Sequence, residues 1–406
     1  MNPFPLVIAT LKRYRMAFAL FVALVALAVG LGVTISSAER ALRQGSARAA
    51  DKFDLVVGAP GSRTDLVLAA IYLKPGLVPL LDGADAAKAM SDPHAKIAAP
   101  IGFGDHFKGE PVVGTISAFV EHLSGGLREG NVFAKTTEAV VGANSALKIG
   151  EVFRPQHGVD EPADGDEDEH EHAVDITVVG RMRPTGTPWD SAIIIPIELV
   201  WQVHGLPNGH DPGNAAHAIG PPFDAQFVSG VPAIIVKPDS VNSAYGLRNQ
   251  FKSNSSMAFF PAEVLVDLYG ALANVRSLMS LVAIIAEILV AIAVLAALSA
   301  LFALNRRQFM TLRVMGAPRQ FIGMAIWIYI VLIVVGGAAL GLLLGFGSAA
   351  VLSSIVSAQT GVSLSAALGR AEMLGVCLFA LSGCLLAFIP AYASTRGGVQ
   401  DALKQS

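Results

Sequence analysis

The sequence predicts an α-helical membrane protein with four transmembrane helices and a large extracytoplasmic α+β domain inserted between helices one and two. Three observations carry that prediction. The 406 residues are 53% hydrophobic and only 15% charged, with a mean hydropathy of +0.56, too apolar for an ordinary soluble chain. Polar chemistry is segregated, since 29 of the 32 acidic residues and all nine histidines lie between Glu39 and Asp267. Basic residues gather instead beside apolar runs, most densely from Asn305 to Arg319, a stretch with four arginines and no acid.

Residues 1–16 end on Lys12, Arg13 and Arg15, and the apolar run 17–35 that follows has the length needed to cross a ~30 Å hydrocarbon layer. Ser36-Ser37-Ala38 imitates a signal-peptidase site, so a cleaved signal competes with a retained anchor; the length of the run favours the anchor. Residues 36–272 form the outer domain and 273–304 a stalk and second span, apolar from Leu278 to Leu304. A cytoplasmic loop, 305–320, leads to a third span at 321–356, an outer loop at 357–372, a fourth span at 373–393 and a cytoplasmic tail at 394–406. Lys and Arg beside spans stay on the cytoplasmic side, and Arg306, Arg307, Arg313, Arg319, Arg396 and Lys404 agree with both termini inside.

The third run exceeds what a bilayer requires, so part of it tilts, bends or projects outward. Gly337, Gly341 and Gly345, with Gly336 and Gly347 nearby, supply small residues four apart, the spacing of a close helix contact. Glu287 stands near the middle of span two, where a charge costs roughly 2.5 to 3.5 kcal/mol on insertion scales. It must face protein or be protonated, either as a polar contact that couples helices or as a neutral acid bonded to backbone. Cys377 and Cys384 both lie in the fourth run, so no disulfide framework holds the polar region and small apolar packing is their expected role.

About 240 residues between spans one and two suffice for one core or two subdomains. Val- and Ile-rich runs bounded by turn residues read as strands at 54–58, 97–101, 111–116, 139–142, 176–180, 192–195 and 233–236, with helices at 64–73, 198–204 and 241–252. Within the loop 157–173, the stretch from Asp160 to His172 is too acidic and too poor in apolar residues to fold on its own. Imidazoles and carboxylates suit a divalent metal such as zinc, making His157, His170 and His172 candidate ligands. The pattern lacks the fixed spacing of a closed site, and a solvated acidic loop is the competing reading.

Catalytic signatures are missing. Gly58-Ala59-Pro60-Gly61-Ser62 lacks the Gly-Lys-Ser/Thr ending of a phosphate loop, and neither Gly-x-Ser-x-Gly nor His-Glu-x-x-His occurs. The chain is not expected to be an enzyme or to bind nucleic acid. A membrane-anchored sensor or scaffold without energy coupling is one reading that these observations leave open.

One span, a large outer domain, three further spans and a basic loop after the second together resemble the FtsX-like and MacB-like permeases of ABC transporters, also called type VII. The sharpest match is Leu312-Arg313-Val314-Met315-Gly316-Ala317 followed by Ile322, similar to the family's Leu-Arg-x-x-Gly-Ala stretch. Where such permeases usually carry an acid shortly before the leucine, this chain has Phe309 and Met310. Pro390 to Arg396 with Asp401-Ala402-Leu403, the outer Asp54 to Ala59, Ala139 to Gly142, Val178 to Gly180 and Pro184 to Asp190 extend the likeness, the outer stretches to the MacB-like periplasmic core domain.

The resemblance implies an inner-membrane homodimer bound to two copies of a cytoplasmic ATPase, which holds the ATP and magnesium. ATPase motion would be transmitted to the periplasmic domain, for export or for handling lipoproteins or other periplasmic substrates. Arg306, Arg307 and Arg313 would meet acidic ATPase surface through charge-assisted hydrogen bonds, Phe309 and Leu312 would fill an apolar notch, and Gly316 and Ala317 complete the motif. A periplasmic adaptor, a lipoprotein or a metal-binding protein is the expected outer partner. The last of these fits the alternative in which the histidine and acid residues serve a zinc-linked uptake or delivery permease.

Overall fold

The computed structural model describes residues 2–74, 76–157, 174–213, 218–304 and 306–393. In chain order the elements begin with α1 (Phe4–Arg13), α2 (Arg15–Ala50), β1 (Leu55–Gly58), α3 (Arg63–Ala70), α4 (Gly83–Met90), β2 (Ala95–Phe107) and β3 (Glu110–Thr115). There follow α5 (Ser117–Ser124), β4 (Leu127–Gly130), β5 (Glu138–Val141), β6 (Val152–Phe153), β7 (Gln156–His157), β8 (Ile176–Met182), β9 (Ile193–Pro196) and α6 (Ile197–Val203). The chain closes with β10 (Ala233–Pro238), α7 (Val241–Gln250), β11 (Met257–Phe259), α8 (Pro261–Leu304), α9 (Arg306–Val314), α10 (Arg319–Thr360), α11 (Arg370–Leu386) and α12 (Phe388–Ala393). Two units result: a helical one of Met1–Arg43, Leu272–Ile355 and Leu364–Ser406, and a second of Gln44–Ala271 and Val356–Ser363, called the outer unit after the outer domain expected from the sequence.

Among the described residues, four helical stretches are long and apolar enough to cross a membrane: Arg15–Ala50, Ser277–Leu304, Arg319–Thr360 and Arg370–Ala393. Their helices outrun the apolar segments because the flanking sequence also favours helix. α2 continues past Ile35 through Ala- and Arg-rich residues, and α8 opens on Pro261, whose missing N–H costs nothing in the first turn.

A close contact joins α2 to α10. A Cβ on Gly341 would stand 2.8 Å from the Ala26 carbonyl oxygen, one on Gly345 2.7 Å from that of Gly30, and one on Gly337 2.6 Å from the Val25 side chain. The glycine ladder thus lets the backbones touch, while Gly336 and Gly347 face open space. Thr34 adds polar ties, its hydroxyl lying 3.2 Å from the Gly345 carbonyl and 2.6 Å from the Ser348 hydroxyl.

Arg40 Nη2 of α2 donates to both carboxylate oxygens of Glu372 of α11, an ion pair in which the Glu372 side chain is 1% exposed and also accepts the Gly369 N–H at 2.9 Å. Glu287 is half-buried and directed at α2, with Oε1 2.9 Å from where a Cβ on Gly32 would stand. Glu287 and Glu372 share the wall of a cavity of about 160 Å³ with Gly32, Ser36 and Phe379. Cys377 is exposed, and the Cys384 carbonyl accepts the Trp327 indole N–H at 3.0 Å.

The outer unit is built on a mixed sheet in the order β11-β1-β10-β2-β3-β9-β5-β8-β4, with β6 beside β8 and β7 beside β2. All seven strands expected from the Val- and Ile-rich runs are present. Strand β2 is shared, its first half pairing antiparallel with β10 and its second half with β3. The β3–β9 and β5–β8 pairs are parallel.

The main core gathers Leu55, Ile101, Phe119, Trp189, Ile194 and Ile234 among its fully buried side chains, with Trp189 packing edge-on against Phe119 at 5.6 Å between ring centroids. Around it, Asp190 closes the Pro184–Asp190 segment by accepting the Thr185 and Gly186 N–H groups, both at 2.8 Å. The segment that follows α10 docks on this turn. Ser363 N–H donates to the Gly186 carbonyl at 3.0 Å, and Gly361, at φ +70°, leaves no room for a side chain over Pro188.

Candidate functional site

The basic connection 305–320, expected as a loop, is mostly the helix α9. Arg306 to Val314 contains neither Gly nor Pro and is rich in helix formers, so it continues as helix until Gly316. Its end is a Schellman motif. Gly316, at φ +99°, donates to the Arg313 carbonyl at 3.0 Å, and Ala317 N–H donates to that of Leu312 at 2.9 Å. The Leu-Arg-x-x-Gly-Ala sequence therefore has a backbone explanation, in which glycine takes the left-handed position and Ala317 is buried behind it.

Replacing Gly316 with Ala is expected to cost about 1–2 kcal/mol through that backbone strain alone, since a Cβ would meet nothing within 4 Å. A thermal shift of the purified chain checks this, with Gly347→Ala, also facing open space, as the helix-interior control.

Arg306 and Arg307 open α9. Arg313 is partly buried, with Nη1 3.9 Å from the Met310 sulfur. Phe309 and Leu312 line a groove within the helical unit, about 380 Å³ in volume, together with Leu6, Thr10, Tyr14 and Met315. The Phe309 ring lies 6.1 Å from Phe302 of α8, which meets Tyr329 of α10 at 5.8 Å, and Tyr329 meets Phe18 of α2 at 5.8 Å. Aromatic contacts thus tie α9 to three spanning-length helices.

Of the three candidate metal ligands, His170 and His172 lie outside the described residues. His157 sits in β7 rather than in a loop, paired in register with Asp105 of β2, and its Nδ1 lies 2.6 Å from Asp105 Oδ1. A β-bulge at Gly104, φ +147°, shifts the register of β2 and turns Asp105 into a buried position.

Helix α6 supplies the third member. Gly102 and Gly114 leave no space beneath Val200, so α6 seats directly on β2 and β3 and places His204 at its end, with the ring 4.7 Å from that of His157. One ligand atom from each of Asp105, His157 and His204 falls within 4.8 Å of the others. Asp105 and His204 were missed by sequence reasoning because neither belongs to the acidic stretch; a bulge-forming Gly one residue before an acid was the signal. The same helix buries Glu198, whose carboxyl is lifted above its ordinary range by burial, against the opposing hydrogen bond from Gly220 N–H at 2.6 Å and His210 at 3.5 Å.

Comparison with known proteins adds three findings. Residues 280–397 match the family described as FtsX-like permease C-terminal. The chain is similar to the periplasmic region of MacB from Actinobacillus actinomycetemcomitans, at 9% identity over 55% of this chain and 95% of that one, with a TM-score of 0.32. It is also similar to the extracellular domain of the noncanonic ABC-type transporter YknZ from Gram-positive bacteria, at 8% identity over 50% of this chain and 98% of that one, with a TM-score of 0.29. No curated protein matches the sequence. The stretch from mid-α8 into α12, with its capped basic helix α9, is thus the part of the chain that matches an FtsX-like permease C-terminal domain.

Proposed function

We propose that this chain is the permease subunit of an ABC transporter and passes motion from a separate cytoplasmic ATPase to its outer unit, as a homodimer in the bacterial inner membrane with both termini cytoplasmic. The observation that carries the reading is α9, a basic helix closed by a Schellman turn, bordered by an apolar groove and set within the matched domain. Its arginines offer charge-assisted bonds to acidic ATPase surface, and the groove beside Phe309 and Leu312 accepts an apolar side chain from that partner. Downstream, α2, α8 and α10 each contribute residues to both units, and the Ser363 to Gly186 bond ties the segment after α10 to the Pro184–Asp190 turn. A shift of α9 therefore has continuous helices along which to travel.

Export, or the handling of lipoproteins and other periplasmic substrates, is the use this arrangement serves. A zinc-linked uptake or delivery role is the second reading, favoured by the convergence of Asp105, His157 and His204. A sensor or scaffold without energy coupling gives no account of the capped basic helix.

The test is co-purification. An ATPase subunit is expected to accompany the wild-type chain and to be lost, at least tenfold, from Arg306→Glu/Arg313→Glu, while the variant still inserts and folds. Undiminished recovery of the ATPase with the charge-reversed chain contradicts the assignment.

A further inference from the structure

The geometry points to a divalent transition-metal site of the zinc class in the outer unit, built from Asp105, His157 and His204. Two imidazoles and one carboxylate are a donor set that suits zinc and its neighbours, whereas magnesium and calcium favour all-oxygen shells. The three ligand atoms already lie within 4.8 Å of one another. Two ligands on one tetrahedral zinc stand roughly 3.3 Å apart, so closure by about 1 to 1.5 Å completes the set.

The protonation pattern fits as well. His204 Nδ1 lies 2.6 Å from the Val200 carbonyl of its own helix. A carbonyl only accepts, so Nδ1 carries the hydrogen and Nε2 is the ring nitrogen that can serve as a metal ligand. This is the outer hydrogen bond by which proteins fix the tautomer of a ligating histidine. His157 Nδ1 and Asp105 Oδ1 stand 2.6 Å apart, closer than two ligands of one zinc ion, so a cation entering the cluster must spread the pair.

The framework is stiff where it must be. Asp105 is fixed by the Gly104 bulge, His157 by its register pairing with Asp105, and α6 by its seat over Gly102 and Gly114. Yet the site is open to solvent, because His204 is exposed and the His157 side chain is 37% exposed, while Asp105 stays buried beneath them. Three protein ligands under an open face describe a site that exchanges its metal rather than a closed structural one.

The inference stands apart from ATPase coupling, since metal occupancy is measured without ATP. The test uses the full chain in detergent, stripped with a chelator and carrying His170→Ala/His172→Ala, so that those two histidines contribute nothing. Titration with zinc against a chromophoric chelator is expected to give one ion per chain, unaffected by excess magnesium, and His204→Ala is expected to weaken binding at least tenfold. Binding by His204→Ala as tight as its parent, or no stoichiometric zinc on the parent, overturns the site. Should His204→Ala fail to fold, X-ray absorption on the zinc-loaded parent decides instead: two imidazoles and a carboxylate oxygen support the site, and an all-oxygen shell overturns it.

Discussion

Arg40→Ala is expected to cost the helical unit about 3–5 kcal/mol, because it strands a carboxylate that protein covers almost completely. Glu372 is 1% exposed and is held by both the Arg40 guanidinium and the Gly369 N–H. Removing the cation leaves one backbone bond to satisfy a buried charge, and the desolvation cost of the carboxylate, once offset by the ion pair, falls on the folded state. Replacing both partners with apolar residues of similar size removes the charge along with its partner. Arg40→Met/Glu372→Leu should therefore recover most of the loss. Denaturation midpoints of the purified chain and its variants measure the cycle. A double variant as unstable as Arg40→Ala would show that the damage comes from lost packing over Gly369, where the guanidinium occupies the space a side chain would need.

Gly341→Leu is expected to be comparably severe. Even a Cβ at this position would stand 2.8 Å from both the Ala26 carbonyl oxygen and Val29 Cβ, so a leucine has nowhere to go unless α2 and α10 separate. Separation also loses the close contacts at Gly337 and Gly345 and the Thr34 bonds to Gly345 and Ser348. Overpacking typically costs 1–3 kcal/mol, and a backbone-to-backbone contact leaves less room to adapt than a side-chain core, so a loss of about 3 kcal/mol or more is expected. Gly336→Leu, on the same helix but facing open space, should change the stability by less than about 1 kcal/mol. Equal effects of the two substitutions would refute the glycine-mediated contact.

How much of this was readable in advance follows from how far each feature depends on remote contacts. The outer strands were legible because buried β-structure demands Val and Ile runs between turn residues, as at Ile193-Ile194-Ile195. Helices α4 and α5 were not legible. Gly83–Met90 has an apolar face made mostly of alanines, too small to stand out in sequence, and is opened by its Asp82 cap, and Ser117–Ser124 continues directly from a strand-like run. Two-residue strands such as β7 exist only through their partners. The glycine spacing on α10 was visible in sequence, but its partner α2 was not.

The candidate sites divide the same way. The motif in α9 announced itself as a string of residues, yet its physical content, the Schellman hydrogen bonds and the inward-facing Phe309, needed coordinates. The acidic stretch drew attention to histidines by density alone. The cluster that the described residues form takes only His157 from that neighbourhood and recruits Asp105 and His204 through a bulge and a seated helix. Arg40 and Glu372 stand at opposite ends of the sequence and meet only because α2 and α11 are neighbours in the helical unit.

The central claim is that α9 is where an ATPase drives this chain. ATP hydrolysis by the purified complex of this chain with the proposed ATPase partner, compared between the wild-type chain and Arg306→Glu/Arg313→Glu, tests it most directly. Stimulation of the ATPase by the wild-type chain, falling to the rate of the ATPase alone with the charge-reversed chain, is the predicted result. Full stimulation by a folded, charge-reversed chain would contradict it.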